Sequence, residues 1–230
     1  MLRRKEKKKS QPVRDPAADA QAKTGVPFTV RRVWNVWEPY MSFCTTGEFA
    51  DAGKKGYRRH CGPTAVTNVI LTLAAAGMGE SSQVKSAPEV FTTVAGIGRR
   101  HGIYWNMDLL RHFGGTQDLR CGEYLRASLH HYGMRAGVIF HQPLGAADFY
   151  SAIRRGSLLY LELRHHPVYG DHHLVCSGMA EVVSTAEKRK LLRKRYLIVA
   201  DGWSRAPAFL DLSEIGFCHF FEIRVPGRTV

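Results

Sequence analysis

Apolar positions in this chain follow two rhythms, one dominating each half. After Gly62, the residues Val66, Val69, Ile70, Leu73 and Ala74 recur at the three-and-four spacing of one helical face, and Gly77 follows an alanine run as a stop. Similar patterns predict helices over 88–100, 123–132 and 146–155, with Gly133 and Gly156 closing the last two. β-Branched and aromatic runs predict strands over 135–140, 158–163, 172–183, 196–200 and 217–225. Helices first and strands afterwards read as an α+β fold.

Three segments place reactive side chains on these elements. In His60-Cys61-Gly62-Pro63-Thr64-Ala65, Pro63 suits a first helical turn, so Cys61 stands at a helix mouth. Unpaired N–H groups and the macrodipole favour negative charge there, which predicts a thiol pKa below the ordinary value. An isolated cysteine before a helix is equally well a small buried residue. In Gly170-Asp171-His172-His173-Leu174-Val175, two histidines open a strand and must point to opposite faces, so only one can meet Cys61. In Tyr196-Leu197-Ile198-Val199-Ala200-Asp201-Gly202-Trp203, an apolar strand ends in a carboxylate with an aromatic lid. A nucleophile, a base and an orienting group in that order are what thiol catalysis requires. Cys121, also followed by Gly at a helix start, is the competing thiol and is read as structural.

These segments resemble the papain-like cysteine peptidases that process bacteriocin leaders, the C39-like group. Cys61-Gly62-Pro63-Thr64 is similar to that family's nucleophile motif, and Asp171-His172 with Gly178 six residues on is similar to its histidine strand. The resemblance favours His172 as base, keeps His173 as the alternative base, and makes Asp201 the carboxylate behind the imidazole. It implies a helical N-terminal half carrying the nucleophile, packed on an antiparallel sheet carrying His and Asp. The implied activity is hydrolysis of a peptide or amide bond in a peptide or protein substrate through a thioester. The family's oxyanion glutamine is missing: no Gln occurs between Gln21 and Gln83, and Phe43 stands near its expected place. Ser42, Thr45 and Tyr57 are the substitute donors considered. A catalytically silent papain-fold binding protein is the alternative that this gap supports.

Charge and cysteine usage complete the expectations. Residues 1–24 open with basic clusters, hold no aromatic residue and have almost nothing to bury, which predicts a disordered basic tail before a hydrolase domain over 25–230. The formal charge of +13 owes much to this tail and to the basic run from Lys188 to Arg195. Such clusters fit weak polyanion contacts, or a nucleic-acid or anionic-surface binding module, although no nucleic-acid motif accompanies them. There is no apolar run of membrane-spanning length and no export signal, so a cytoplasmic location is expected. Five widely spaced cysteines fit reduced thiols. His165, His166, His172, His173 and Cys176 show no metal-ligand spacing, so neither a metal nor another cofactor is expected.

Overall fold

The computed structural model of the chain describes residues 11–51, 57–79, 84–106, 115–143, 145–185, 191–216 and 218–227. The elements run α1 (Pro16–Thr24), β1 (Phe28–Trp34), the one-turn helix α2 (Thr46–Phe49), α3 (Cys61–Ala75), α4 (Ala87–Arg100), β2 (Tyr104–Trp105) and β3 (Gly115–Thr116). They continue with α5 (Cys121–His131), β4 (Gly137–His141), α6 (Ala146–Arg154), β5 (Leu158–His166), β6 (Gly170–Ser184), β7 (Arg193–Ala200), β8 (Ala208–Asp211) and β9 (Cys218–Arg224). The fold is α+β. Its main sheet has seven strands in the order β4-β9-β5-β6-β7-β8, and β1 pairs with β6 off that path. Every pairing in it is antiparallel.

Strand β6 is the spine. One edge pairs with β7, while the other is shared by β5 along the first part and β1 along the last. The period of two then sorts the core into two layers. Leu158, Tyr160, Val175, Ala200, Phe221 and Ile223 face α3, α4 and α5. Leu159, Leu161, Leu174, Cys176, Leu197 and Val199 face the other way, where Phe149, Ala152 and Ile153 of α6 cover them. Helix α3 is buried almost all round, from Gly62 to Leu73, so its first residue is delivered to the sheet rather than to open solvent.

The expected tail is corrected where it is described. Residues 16–24 form α1, capped by the Asp15 carboxylate on the N–H groups of Ala17 and Ala18 and closed by Gly25 at φ 71°. Its apolar residues are small, alanines and Pro16; Pro16 and Ala20 are buried, Ala20 fully and against Phe28, Val182 and Tyr196, and polar anchors supply the rest. Tyr196 donates to Asp19 at 2.8 Å, and Lys23 Nζ reaches Asp211 Oδ2 at 3.1 Å. Residues 1–10, with most of the basic clusters, lie outside the described residues, as do Lys188, Arg189 and Lys190. Arg193 to Arg195 begin β7, with Lys194 on Asp211 and Arg195 on Glu181. Among the described residues, no helix is long and apolar enough to cross a membrane.

Asp211 yields the first expected result. Burial alone would push its carboxyl up, but hydrogen bonds from Lys194, Ser213 and Lys23 overcome that and hold it at about 2. An unfolded Asp titrates near ~3.9, so the native state gains about 2 kcal/mol that is present above pH ~4 and lost as the pH falls toward ~2. Urea unfolding at pH 6 should separate the parent from Asp211→Asn by roughly that amount, and at pH 3 the gap should shrink. A gap of constant size would show that Asp211 is not the linked group.

Candidate functional site

A cleft of about 600 Å³ opens where the mouth of α3 meets the start of β6. Cys61, His172, His173, Thr116, Asp118, Arg164 and Trp203 line it, together with Thr46, Arg59, His60, Gly115, Leu163 and Asp171. The chain turns into α3 through Arg59, a non-glycine residue at φ 47°, a left-handed conformation that costs on the order of 1 kcal/mol. His60 follows and is tied down, its Nε2–H donating to the Thr46 carbonyl at 2.8 Å. Cys61 is therefore the first residue of α3 and partly buried.

The thiol environment differs from the simple helix-mouth expectation. Burial pushes the Cys61 thiol up from its ordinary value, and the N–H groups of His173, Gly62 and Cys61 offset this only in part. The resting group is a thiol. Among the described residues, neither imidazole hydrogen-bonds to it. Gly62 is required by a close approach: a Cβ there would stand 2.1 Å from Thr116 Oγ1. That hydroxyl is buried against the first turn of α3, in the cleft that Cys61 also lines, and has no hydrogen-bond partner among the described residues.

The two histidines part, as strand alternation requires. His172 Nε2 lies 2.7 Å from the backbone carbonyl of Asp201. A carbonyl only accepts, so Nε2 carries the proton and Nδ1 keeps its lone pair. Among the described residues Nδ1 has no partner. Burial lowers the pKa of His172, opposed by the Asp201 carbonyl, so the ring is neutral at rest. It is held between Tyr169, stacked at 5.6 Å and 8°, and Trp203 at 5.1 Å. His173 turns to the helix side, where Nδ1 meets the Tyr160 hydroxyl at 3.1 Å and Nε2 lies 3.5 Å from Asp118 Oδ1. Burial and the neighbouring His172 press its pKa down to about 3.

Asp201 occupies the expected place with a different job. Its carboxylate is fully buried but makes no hydrogen bond to His172. Oδ1 accepts the N–H groups of Trp203 and Ser204 at 2.9 and 3.1 Å, and Oδ2 takes Arg14 Nη2 at 3.1 Å and the Tyr169 hydroxyl at 3.4 Å. The tight turn through Gly202, at φ 69°, folds the side chain back over its own backbone and leaves the carbonyl facing the ring.

None of the three substitute oxyanion donors lines the cleft. The Ser42 N–H bonds Thr72 near the far end of α3, and its hydroxyl lies against Cys44. Thr45 is committed to a capping box with Glu48. The Tyr57 ring packs on Phe91 in a separate cluster. Sequence reasoning also missed Thr116, because a two-residue strand 55 positions beyond Cys61 carries no local signal. Cys121 is fully buried outside the cleft, and burial raises its thiol well above the ordinary value. Comparison with protein-family models, with curated proteins and with solved structures found no match.

Proposed function

We propose that this chain is a thiol hydrolase of papain-like architecture that cleaves a peptide or amide bond with Cys61 as nucleophile and His172 as base. The observation that carries this reading is the tautomer of His172: with Nε2–H given to the Asp201 carbonyl, Nδ1 is free to take a proton in the same cleft as the thiol. A neutral pair at rest fits a mechanism in which the proton moves as substrate seats and the ring tightens onto sulfur. The Cys61 Sγ–H proton passes to Nδ1 and sulfur bonds the carbonyl carbon. The oxyanion is met by the Cys61 N–H and the Thr116 hydroxyl. The C–N bond then breaks, the imidazolium protonates the departing amine, and water attacks the thioester with His172 again as base, freeing the acid and the thiol. Arg164, paired with Asp118 and Asp171 at the rim, gives the cleft a charged mouth suited to a polar peptide.

An epoxysuccinyl peptide tests this, because opening the epoxide needs a thiolate and a proton donor together. We expect a single adduct at Cys61 in the folded chain, with Cys121, Cys176 and Cys218 unmodified. The catalytically silent binding protein is favoured by the raised thiol and the missing imidazole contact. It predicts alkylation of Cys61 by iodoacetamide but no reaction with the epoxide. Epoxide labelling of Cys44 instead would remove Cys61 from its role.

A further inference from the structure

Behind the cleft, on the helix side of the sheet, three strands present a row of ionisable side chains. Glu162 of β5 lies directly across from His173 of β6 on one edge and from His219 of β9 on the other. Cys121 comes down on this row from the start of α5. Ligand atoms of Cys121, Glu162 and His173 all lie within 4.8 Å of one another, and all three residues are buried. Neither carboxylate oxygen of Glu162, a residue 2 % exposed, is held by a hydrogen bond of good geometry, and the neighbouring Cys121 thiol acts on it only as a weak donor. His219 Nδ1 stands 3.7 Å from Oε2, beyond hydrogen-bond range.

A buried carboxylate with two unsatisfied oxygens is costly in any protein interior. Burial pushes Glu162 up to about 8, and the same cause raises Cys121. The geometry is what a cation would use: the donor atoms of Cys121, Glu162 and His173 converge on one buried point. One thiolate, one imidazole and one carboxylate, drawn from three different elements, match the donor preferences of zinc rather than of a hard oxygen-seeking ion. Supporting groups are also in place. His173 Nε2 lies 3.5 Å from Asp118, the kind of carboxylate partner that orients a ligating imidazole, and the Tyr160 hydroxyl lies 3.7 Å from Cys121 Sγ.

We propose that Cys121, Glu162 and His173 bind a structural zinc ion that pins the start of α5 to β5 and β6. Tetrahedral zinc holds such donors about 3.4 Å apart, a spacing that donors already within 4.8 Å of one another reach by small side-chain adjustments. The Sγ proton of Cys121 and the proton on Glu162 leave to solvent as the ion enters. The remaining position takes a water held by Tyr160. This site does not depend on the hydrolase reading, and it accounts for the two residues that compete with Cys61 and His172 for the catalytic roles.

The test uses the full chain, reduced, stripped with chelator and given one equivalent of Zn²⁺ or Co²⁺. Expected are one zinc retained per chain after dialysis and a thiolate-to-cobalt absorption band, both unchanged in Cys61→Ser. Cys121→Ser should abolish the band, and Cys121→Ser and Glu162→Gln should each weaken zinc binding about tenfold or more. If Cys121→Ser does not fold, Glu162→Gln, checked by circular dichroism, carries the comparison. Folded parent that retains no zinc would overturn the proposal. So would Glu162→Gln binding as tightly as the parent, or a cobalt band that survives Cys121→Ser and vanishes in Cys61→Ser. A failed metal site leaves the epoxide result untouched, and the reverse holds as well.

Discussion

Gly178→Ala is expected to cost about 3 kcal/mol or more, enough to unfold a domain of ordinary stability at moderate temperature. Gly178 sits on β6 where pairing passes from β5 to β1 and the register with β7 shifts. A Cβ there would stand 2.1 Å from the Trp34 carbonyl oxygen, 2.8 Å from Asn35 Cβ and 2.9 Å from Asn35 Cα. These are backbone or backbone-attached atoms, so no rotamer change relieves the clash, and β1 must leave the sheet. Gly216→Ala is the control: nothing lies within 4 Å of its Cβ position, and its effect should stay within about 0.5 kcal/mol. Denaturant midpoints of the two variants decide the matter. A Gly178→Ala loss below ~1 kcal/mol would mean that β1 yields more easily than its pairing implies.

His172→Ala is expected to slow epoxide labelling of Cys61 by ~10²–10⁴, the usual worth of a positioned base. Asp201→Asn should behave differently from what a Cys-His-Asp triad implies. The His172 Nε2–H is given to the backbone carbonyl, which the substitution leaves in place. Labelling should therefore stay within about tenfold of the parent. Stability should fall by about 1–3 kcal/mol, because Arg14 and the turn N–H groups lose an ionised acceptor. Rates measured on both variants after matching for folded fraction separate the two effects. If Asp201→Asn slowed labelling as much as His172→Ala, the carboxylate would be the orienting group after all.

The sequence disclosed what depends on local period and order. Helix α3 was legible from Val66, Val69, Ile70 and Leu73 because these recur at helical spacing, although the helix is buried almost all round and not on that stripe alone. The two histidines were expected on opposite faces, and Tyr160 and Tyr169 now mark those faces. Strand β1 was not foreseen: it exposes most of its length, Val30 and Val33 included, so apolar type and burial disagree. Helix α1 was hidden for the opposite reason, since polar anchors and a single small buried alanine hold it where an apolar stripe would have announced it. The placing of Thr116 in the cleft with Cys61, and the Cys121, Glu162 and His173 cluster, are products of topology. Strand pairing and a helix start bring them together from distant positions, and no spacing rule spans that distance. For Asp201 the place was legible and the bond was not, because whether a turn presents its side chain or its carbonyl is set by backbone dihedrals.

Arg14 has one further implication. Its guanidinium holds the Asp201 carboxylate and the carbonyls of Ala206 and Pro207, and next to it Val13 bridges to Phe209. Arg14 and Asp201 are 187 positions apart, so this clasp joins the stretch before α1 to the loop that follows β7 and meets His172. The entropic cost of closing a loop grows only slowly with its length, so several modest bonds are enough to hold such a clasp. The stretch at Val13 and Arg14 and the loop after β7 thus form one tied unit, in which the turn that presents the Asp201 carbonyl to His172 shares its anchor with a residue 187 positions earlier.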